Sequence, residues 1–192
     1  MPLAFYVAYK SKFSYMNSKQ VMNHAADNIR ILAASMVEKA KSGHPGGAMG
    51  GADFINVLYA EYLQYDPQNP KWEGRDRFFL DPGHMSPMLY SQLALIGKFT
   101  LDELKQLRQW GSPTPGHPEV DVMRGIENTS GPLGQGHVFA VGAAIAAKFL
   151  AARTGNPTSI KKLSTLISLT VVFRKKFLRV QAVLPDTWVW TT

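Results

Sequence analysis

A chain of 192 residues with 45% hydrophobic and 18% charged residues is long enough for one domain with a sizeable core, and too apolar to be disordered or fibrous. It has no cysteine, which excludes disulfides and thiolate chemistry and permits a reducing compartment. Its net charge of +7 does not describe a phosphate-binding surface: two of those charges lie in residues 1–15 and five in 157–192, so the body between them is neutral and no nucleic-acid partner is expected.

Residues 1–15, MPLAFYVAYKSKFSY, are aromatic-rich and free of acid, and Lys10 and Lys12 follow the apolar run instead of preceding it as in a secretory signal. Helical periodicity begins just after Met16, so this segment reads as an extension outside the fold. From Ser18, Val21, Ala25, Ile29, Leu32 and Met36 recur at steps of four and three and predict one buried stripe on a helix. Lys39 and Lys41 suit its last turn, Gly43 its end, and Pro45 stops it. A second helix carries Ile55, Leu58, Tyr59, Tyr62 and Leu63 until Asp66-Pro67, which leaves Ser42-Gly43-His44-Pro45-Gly46-Gly47 as a tight turn around His44. Arg75-Asp76-Arg77-Phe78-Phe79-Leu80 reads as a short apolar strand running into Asp81-Pro82-Gly83-His84, and Pro87 to Ile96 as a helix with Pro in its first turn. Thr100-Leu101-Asp102-Glu103 is a capping box opening a helix that carries Leu104 and Leu107 and ends near Gly111. Val138 to Ala152 reads as an Ala-rich helix whose Val141, Ile145 and Phe149 suit close packing. One convincing strand precedes Asn156; no internal repeat and no apolar run long enough to span a bilayer is expected, and hence no membrane partner.

The stretch that organises the chain is Gly116-His117-Pro118, running on through Thr129-Ser130-Gly131-Pro132-Leu133-Gly134-Gln135-Gly136. It is too rich in Gly and Pro for helix or central strand and lies between two helical segments, so it reads as an ordered loop. Gly134 and Gly136 open a helix, where free backbone N–H groups can meet a polar ligand; a plain connector fits the same residues. His44, His84 and His117 each follow a Gly, and two of them precede a Pro. Imidazoles set in tight turns can donate to oxygens and move a proton near neutral pH, so a cluster of three suits an oxygen-rich substrate. Any one of them alone also fits a loop imidazole bonded to a backbone carbonyl. No His, Asp or Glu pair has metal-ligand spacing. His24, on a helix face, reads as structural or solvated, and His137 beside the central loop fits either role.

Four motifs in order along residues 16–156 resemble the N-terminal, thiamine-diphosphate-binding part of transketolase. They are Ser42-Gly43-His44-Pro45-Gly46; Arg75-Asp76-Arg77-Phe78 followed by Gly83-His84; Thr114-Pro115-Gly116-His117-Pro118-Glu119; and Thr129 with Gly131-Pro132-Leu133-Gly134-Gln135-Gly136. The resemblance implies an α/β fold, a parallel sheet flanked by helices, of which this chain holds the helix-rich N-terminal part. It implies that His44 and His117 are catalytic and contact the sugar's hydroxyls, and that His84 lies by both cofactor and substrate. Gly131, Pro132 and Leu133 would cradle the aminopyrimidine. It further implies thiamine diphosphate and Mg2+ as cofactors, sugar phosphates as substrates, a homodimer, a cytoplasmic location and transfer of a two-carbon ketol unit in the pentose phosphate pathway. Two departures are Pro82, where the family has a small polar residue, and His137, where it has an aliphatic or small polar one.

The likeness is expected to end at Asn156. The family continues into a strand ending in Gly/Ser-Asp-Gly, whose Asp binds magnesium; residues 157–192 are basic and lack that motif, so no metal ligand is assigned. The run Leu163 to Phe173 is β-rich but finds no partner in the pattern. Read from the third base of the Pro157 codon, one permitted codon set yields the missing SDG and an AGHLGLDN segment. Because tryptophan has a single codon, Trp188-Val189 must read Gly and Trp190-Thr191 must read Asp in that frame. The tail therefore reads as frame-shifted, and the chain as a truncated, inactive and aggregation-prone fragment. The N-terminal subunit of a two-chain transketolase, a related enzyme such as a deoxyxylulose-phosphate or dihydroxyacetone synthase, and a non-catalytic truncated product are the alternatives.

Overall fold

The computed structural model describes residues 18–154 and the backbone of 166–169. The extension 1–15 and all of the tail except those four residues lie outside the described residues. In chain order the elements are α1 (Lys19–Ala40), α2 (Pro45–Gly50), α3 (Ala52–Val57), β1 (Arg77–Leu80), α4 (Ser86–Leu95), α5 (Leu101–Leu104), α6 (Gln135–Thr154) and β2 (Leu166–Leu169).

The hydroxyl of Ser18 caps α1, accepting from the Val21 amide. Its buried stripe is Ala26, Ile29, Ala33 and Met36, one position on from the expected set at two places, and Val21 is exposed. The period is right but the stripe is rotated, because small Ala26 and Ala33 let α1 lie close against α2, α3 and α4. The helix closes through Lys41 in the left-handed conformation, φ 50. Pro45 stops α1 and also starts α2 as its first residue, so Gly46 and Gly47 are helical and only Lys41 to His44 form the turn. After α3 the chain widens into one π turn, Leu58–Tyr62, closed by the Leu63 amide on the Leu58 carbonyl at 2.8 Å.

Burial places α4 at the centre of the molecule, since each residue from Ser86 to Leu93 is buried. Its Met88, Leu89, Tyr90 and Leu93 meet Ile29 and Met36 of α1, Ile55 of α3 and Phe78 and Leu80 of β1 in one core. Phe79, pointing to the other face of β1 as the pleat requires, packs on Ala140 of α6. The strand is thus wedged between the helical core and α6. Arg75, just before it, makes a two-pronged ion pair with Glu127 at 2.7 and 3.0 Å, both side chains nearly buried, which ties the strand's entrance to the loop ahead of α6.

The capping box forms as expected: the Glu103 amide donates to Thr100 Oγ1 and the Thr100 amide to Glu103 Oε2. The helix that it opens ends at Leu104 instead of near Gly111. Tighter i to i+3 turns carry Leu107 into the core, and Arg108, at φ 62, turns the chain by donating its amide to the Thr114 carbonyl.

Three expectations are corrected at the C-terminal side. Val141, Ile145 and Phe149 of α6 are 47%, 64% and 59% exposed; the helix packs through Gly136, Ala140 and Ala147, because only small residues fit against β1. Alpha-6 has 20 residues and contains a stretch of mean hydropathy 1.3, long and apolar enough by composition to cross a membrane, contrary to the expectation of no such run. Phe79 of β1 covers part of its length. Finally, Leu166–Leu169 do have a partner: β2 pairs parallel with β1, Arg77 opposite Leu166 through Leu80 opposite Leu169, and both strands lie against α6.

The closeness of α6 and β1 is set by Gly136, where a Cβ would stand 2.2 Å from the Leu80 carbonyl oxygen. Gly136→Ala is expected to lower stability by about 1–3 kcal/mol, as overpacking against rigid backbone does. Denaturant unfolding would show this as a lower midpoint, and an unchanged midpoint would mean that α6 can slide off the strand at no cost.

Candidate functional site

The site lies where β1 ends. Asp81, the next residue, is fully buried, and its carboxylate accepts from the amides of Gly134 at 3.1 Å and His137 at 3.2 Å at the start of α6. A helix start leaves such amides unpaired and carries a partial positive charge, so a carboxylate there is satisfied on both counts. The amide of Gly134 is therefore not free for a ligand, contrary to the sequence expectation; Asp81 occupies it. Asn128 holds the same strand end from the side, accepting from the Leu80 amide at 3.1 Å and donating to its carbonyl at 3.4 Å. Between Asn128 and α6 runs the loop Gly131-Pro132-Leu133. Its Gly131 amide donates to Gln135 Oε1 at 3.2 Å, and Pro132 and Leu133 are exposed.

The Gly116-His117-Pro118 turn is ordered by hydrogen bonds from two sides. From α4, Ser86 Oγ donates to the Gly116 carbonyl at 2.7 Å and the Tyr90 hydroxyl to the Pro115 carbonyl at 2.9 Å. From the loop before α6, the Ser130 amide donates to the Pro118 carbonyl at 3.1 Å, and Thr129 Oγ1 accepts from the Val120 amide at 3.0 Å. Gly83, beside His84, lies directly under this loop, where a Cβ would stand 2.7 Å from the Ser130 carbonyl oxygen. Three turns that are far apart in sequence thus meet at one strand end.

The imidazoles of His44 and His84 come together, ring centroids 4.9 Å apart and planes tilted by 51°. His44 caps α2 by position without using its side chain there, so the ring is available to the cleft. Partial burial, then the neighbouring His44 and His117 imidazoles, and more weakly the Arg108 guanidinium, hold the pKa of His84 below its ordinary value, against the opposing pull of Asp81. An imidazole kept neutral at pH 7 has one nitrogen that donates and one that accepts, the pair of functions a hydroxyl-bearing ligand needs.

His44, His84, His117 and the Gly131–Leu133 loop thus border one region. His24 is exposed on α1 and takes no part, and His137 sits in the first turn of α6, its amide on Asp81. Two buried polar atoms beside the loop, Ser130 Oγ and His137 Nδ1, have no protein partner. Together with the open side of Gly131, where a Cβ would touch nothing within 4 Å, they leave polar edges and space of the kind that a planar, nitrogen-rich ring can use. Among the described residues no three His, Asp or Glu side chains gather as metal ligands. Asp81, Asn128, Ser86 and Tyr90 carry no local sequence signal: their contacts span 25 to 56 positions.

Residues 21–168 match the family model of the transketolase thiamine diphosphate binding domain. The chain is 52% identical over 139 residues to transketolase-1 of Arabidopsis thaliana chloroplasts, covering 71% of this chain and 19% of that protein. It is 53% identical over 133 residues to transketolase 1 of Escherichia coli strain K12, covering 69% and 20%. Among solved structures it resembles the transketolase from Leishmania mexicana, with TM-score 0.69 and 44% identity over 77% of this chain and 22% of that one. The transketolase from Campylobacter jejuni gives 0.70 and 40% over 80% and 24%. The chain spans about a fifth of the length of the curated relatives that it matches.

The depressed pKa of His84 has a defined sign in stability. Its unfolded value is the ordinary 6.5. As pH falls below that value the unfolded chain takes up a proton before the folded one does, so this contribution to stability is present above 6.5 and lost on acidification through the folded pKa. His84→Gln is expected to flatten the acid side of the stability profile, followed as unfolding midpoints from about pH 7.5 down to about pH 5. Equal slopes in the two proteins would show that His84 is not held neutral by its surroundings.

Proposed function

The chain belongs to the transketolase family, and from that footing we propose that its parent protein moves a two-carbon ketol unit from a ketose phosphate to an aldose phosphate, while this chain alone does not turn over. The observation that carries the reading is the meeting of His44, His84 and His117 beside the Gly131–Leu133 loop at the end of β1. His44 and His117 bind the sugar's hydroxyls and pass protons to and from its oxygens, and His84 stands between sugar and cofactor. Gly131, Pro132 and Leu133, with the unpartnered Ser130 Oγ, hold the aminopyrimidine of thiamine diphosphate. When bound, that cofactor supplies the carbanion chemistry, and the protein's share is to orient, to protonate and to exclude water.

The proposal extends to the parts of the chain that complete the fold. Beta-1 belongs to a wider parallel sheet with helices on both faces in the parent protein, where the in-frame reading of the region that here forms β2 supplies the neighbouring strand. Residues 157–192 are an out-of-frame translation in which the metal-binding SDG segment is lost. The described residues bring together no ligand group for magnesium. The parent protein is a cytoplasmic homodimer in the pentose phosphate pathway.

Two measurements test this. Titration of thiamine diphosphate and magnesium into the chain, with a coupled assay on ketose and aldose phosphates, is expected to give neither turnover nor micromolar binding; turnover overturns the inactivity, and micromolar binding overturns the loss of the cofactor site. Restoring one base at the Pro157 codon is expected to open the SDG frame and yield an active protein, in which His117→Ala lowers kcat/KM by about 10²-fold or more. An active product that is indifferent to His117 would remove the histidine cleft from the reaction.

A further inference from the structure

We propose that Arg108 is a positioning residue, a strap that ties the His44 turn to the His117 turn and sets the spacing of the three imidazoles. Its guanidinium Nη1 donates to Ser42 Oγ at 2.9 Å, two residues before His44 and 66 positions away in the chain. The same guanidinium lies over Gly116, the residue before His117: a Cβ there would stand 2.8 Å from Nε, 3.1 Å from Cζ and 3.2 Å from Cγ. At Gly43 the corresponding distance to Nε is 3.8 Å. One side chain therefore lies against the residues ahead of both turns, and any side chain at position 116 would collide with it.

The backbone is shaped for the same contact. Arg108 has φ 62, a conformation that non-glycine residues hold only when the surroundings over-determine it. Here its amide is held by the Thr114 carbonyl at 3.0 Å, which turns the chain after α5. Ser86 and Tyr90 fix the His117 turn to α4, and Ser130 fixes it to the loop before α6. Arg108 supplies the link toward residues 42–44. Its charge also stands among the groups that depress the pKa of His84, as expected for a cation facing that ring. A lysine could reach Ser42 but lacks the branched guanidinium that fills the space beside Gly116.

The proposal concerns the cleft read above as the sugar site, but it rests on the geometry of the turns and needs no ligand. Its test is hydrogen–deuterium exchange at the imidazole C2 position of each histidine, read by mass spectrometry across a pH series on the 192-residue chain without sugar or cofactor. The chain in urea serves as the unfolded reference. Arg108→Ala is expected to move the midpoint of His84 up toward its unfolded value and to speed exchange at His44 and His117 several-fold, with His24 unchanged. Arg108→Lys is expected to restore the His84 midpoint more fully than the rates at His44 and His117. If Arg108→Ala unfolds the chain, Ser42→Ala decides, since it removes one exposed hydroxyl: faster exchange at His44 supports the strap. Unchanged exchange at all three histidines in Arg108→Ala, or at His44 in Ser42→Ala, overturns it. Absence of transketolase activity would leave either result standing.

Discussion

The carboxylate of Asp81 at the start of α6 is the contact on which the arrangement depends. It is the residue after β1, fully buried, and it binds two amides that lie more than fifty positions further on. A buried carboxylate without partners would be costly, and two helix-start amides without acceptors would be costly too; each cancels the other's need. Because the contact has a direction, it fixes which end of α6 meets which end of the strand. Gly136 then lets the two backbones close to a distance that no side chain would allow. With strand end and helix start fixed, the Asn128 to Gly134 loop has nowhere to lie but across the carboxyl end of β1, the edge at which parallel strands commonly present ligands.

The histidines are held there by three separate pieces of the fold. His44 is carried by the break between α1 and α2, His84 by the turn between β1 and α4, and His117 by a loop pinned to α4 and to the strand end. All three supports converge on α4, which is buried from Ser86 to Leu93 and so resists displacement. Serine 86 and Tyr90 are polar residues on that buried helix, and their hydroxyls are satisfied by the carbonyls of the His117 turn. The core and the cleft are thus built from the same helix: its apolar side chains make the one, its hydroxyls hold up the other.

What the sequence made legible was local. The capping box, the proline in the first turn of α4 and a short strand ending at Leu80 each depend on residues within a few positions of one another, and they stand as expected, while the His44 turn is shorter than expected because Pro45 starts a helix. Contacts across the chain decided the rest. The α1 stripe rotated because Ala26 and Ala33 fit where larger residues would not, and α5 stopped early because Thr114, ten positions after Leu104, draws in the Arg108 amide. The outward turn of Val141, Ile145 and Phe149 follows from Gly136 and Ala140 facing β1, a choice that periodicity in an Ala-rich helix cannot make. The strand pairing of Leu166–Leu169 is likewise a property of β1, whose free edge no pattern within residues 157–192 could reveal.

The commitment of the α6 start to Asp81 also bears on how the cleft can meet a ligand. Glycine-rich loops before helices are ready anion sites because their amides are free and the dipole is uncompensated. Here a carboxylate of this chain already occupies the Gly134 and His137 amides and brings a negative charge to the spot. An anionic group on a ligand is therefore not drawn to this helix end. What remains for recognition is a set of uncharged donors and acceptors: the His84 imidazole kept neutral, the unpartnered Ser130 hydroxyl and the backbone of Gly131 to Leu133. Such a set suits hydroxyls and heterocycle edges rather than phosphates, so the cationic side of the cleft, where Arg108 lies between Ser42 and Gly116, is spent on holding the turns in register.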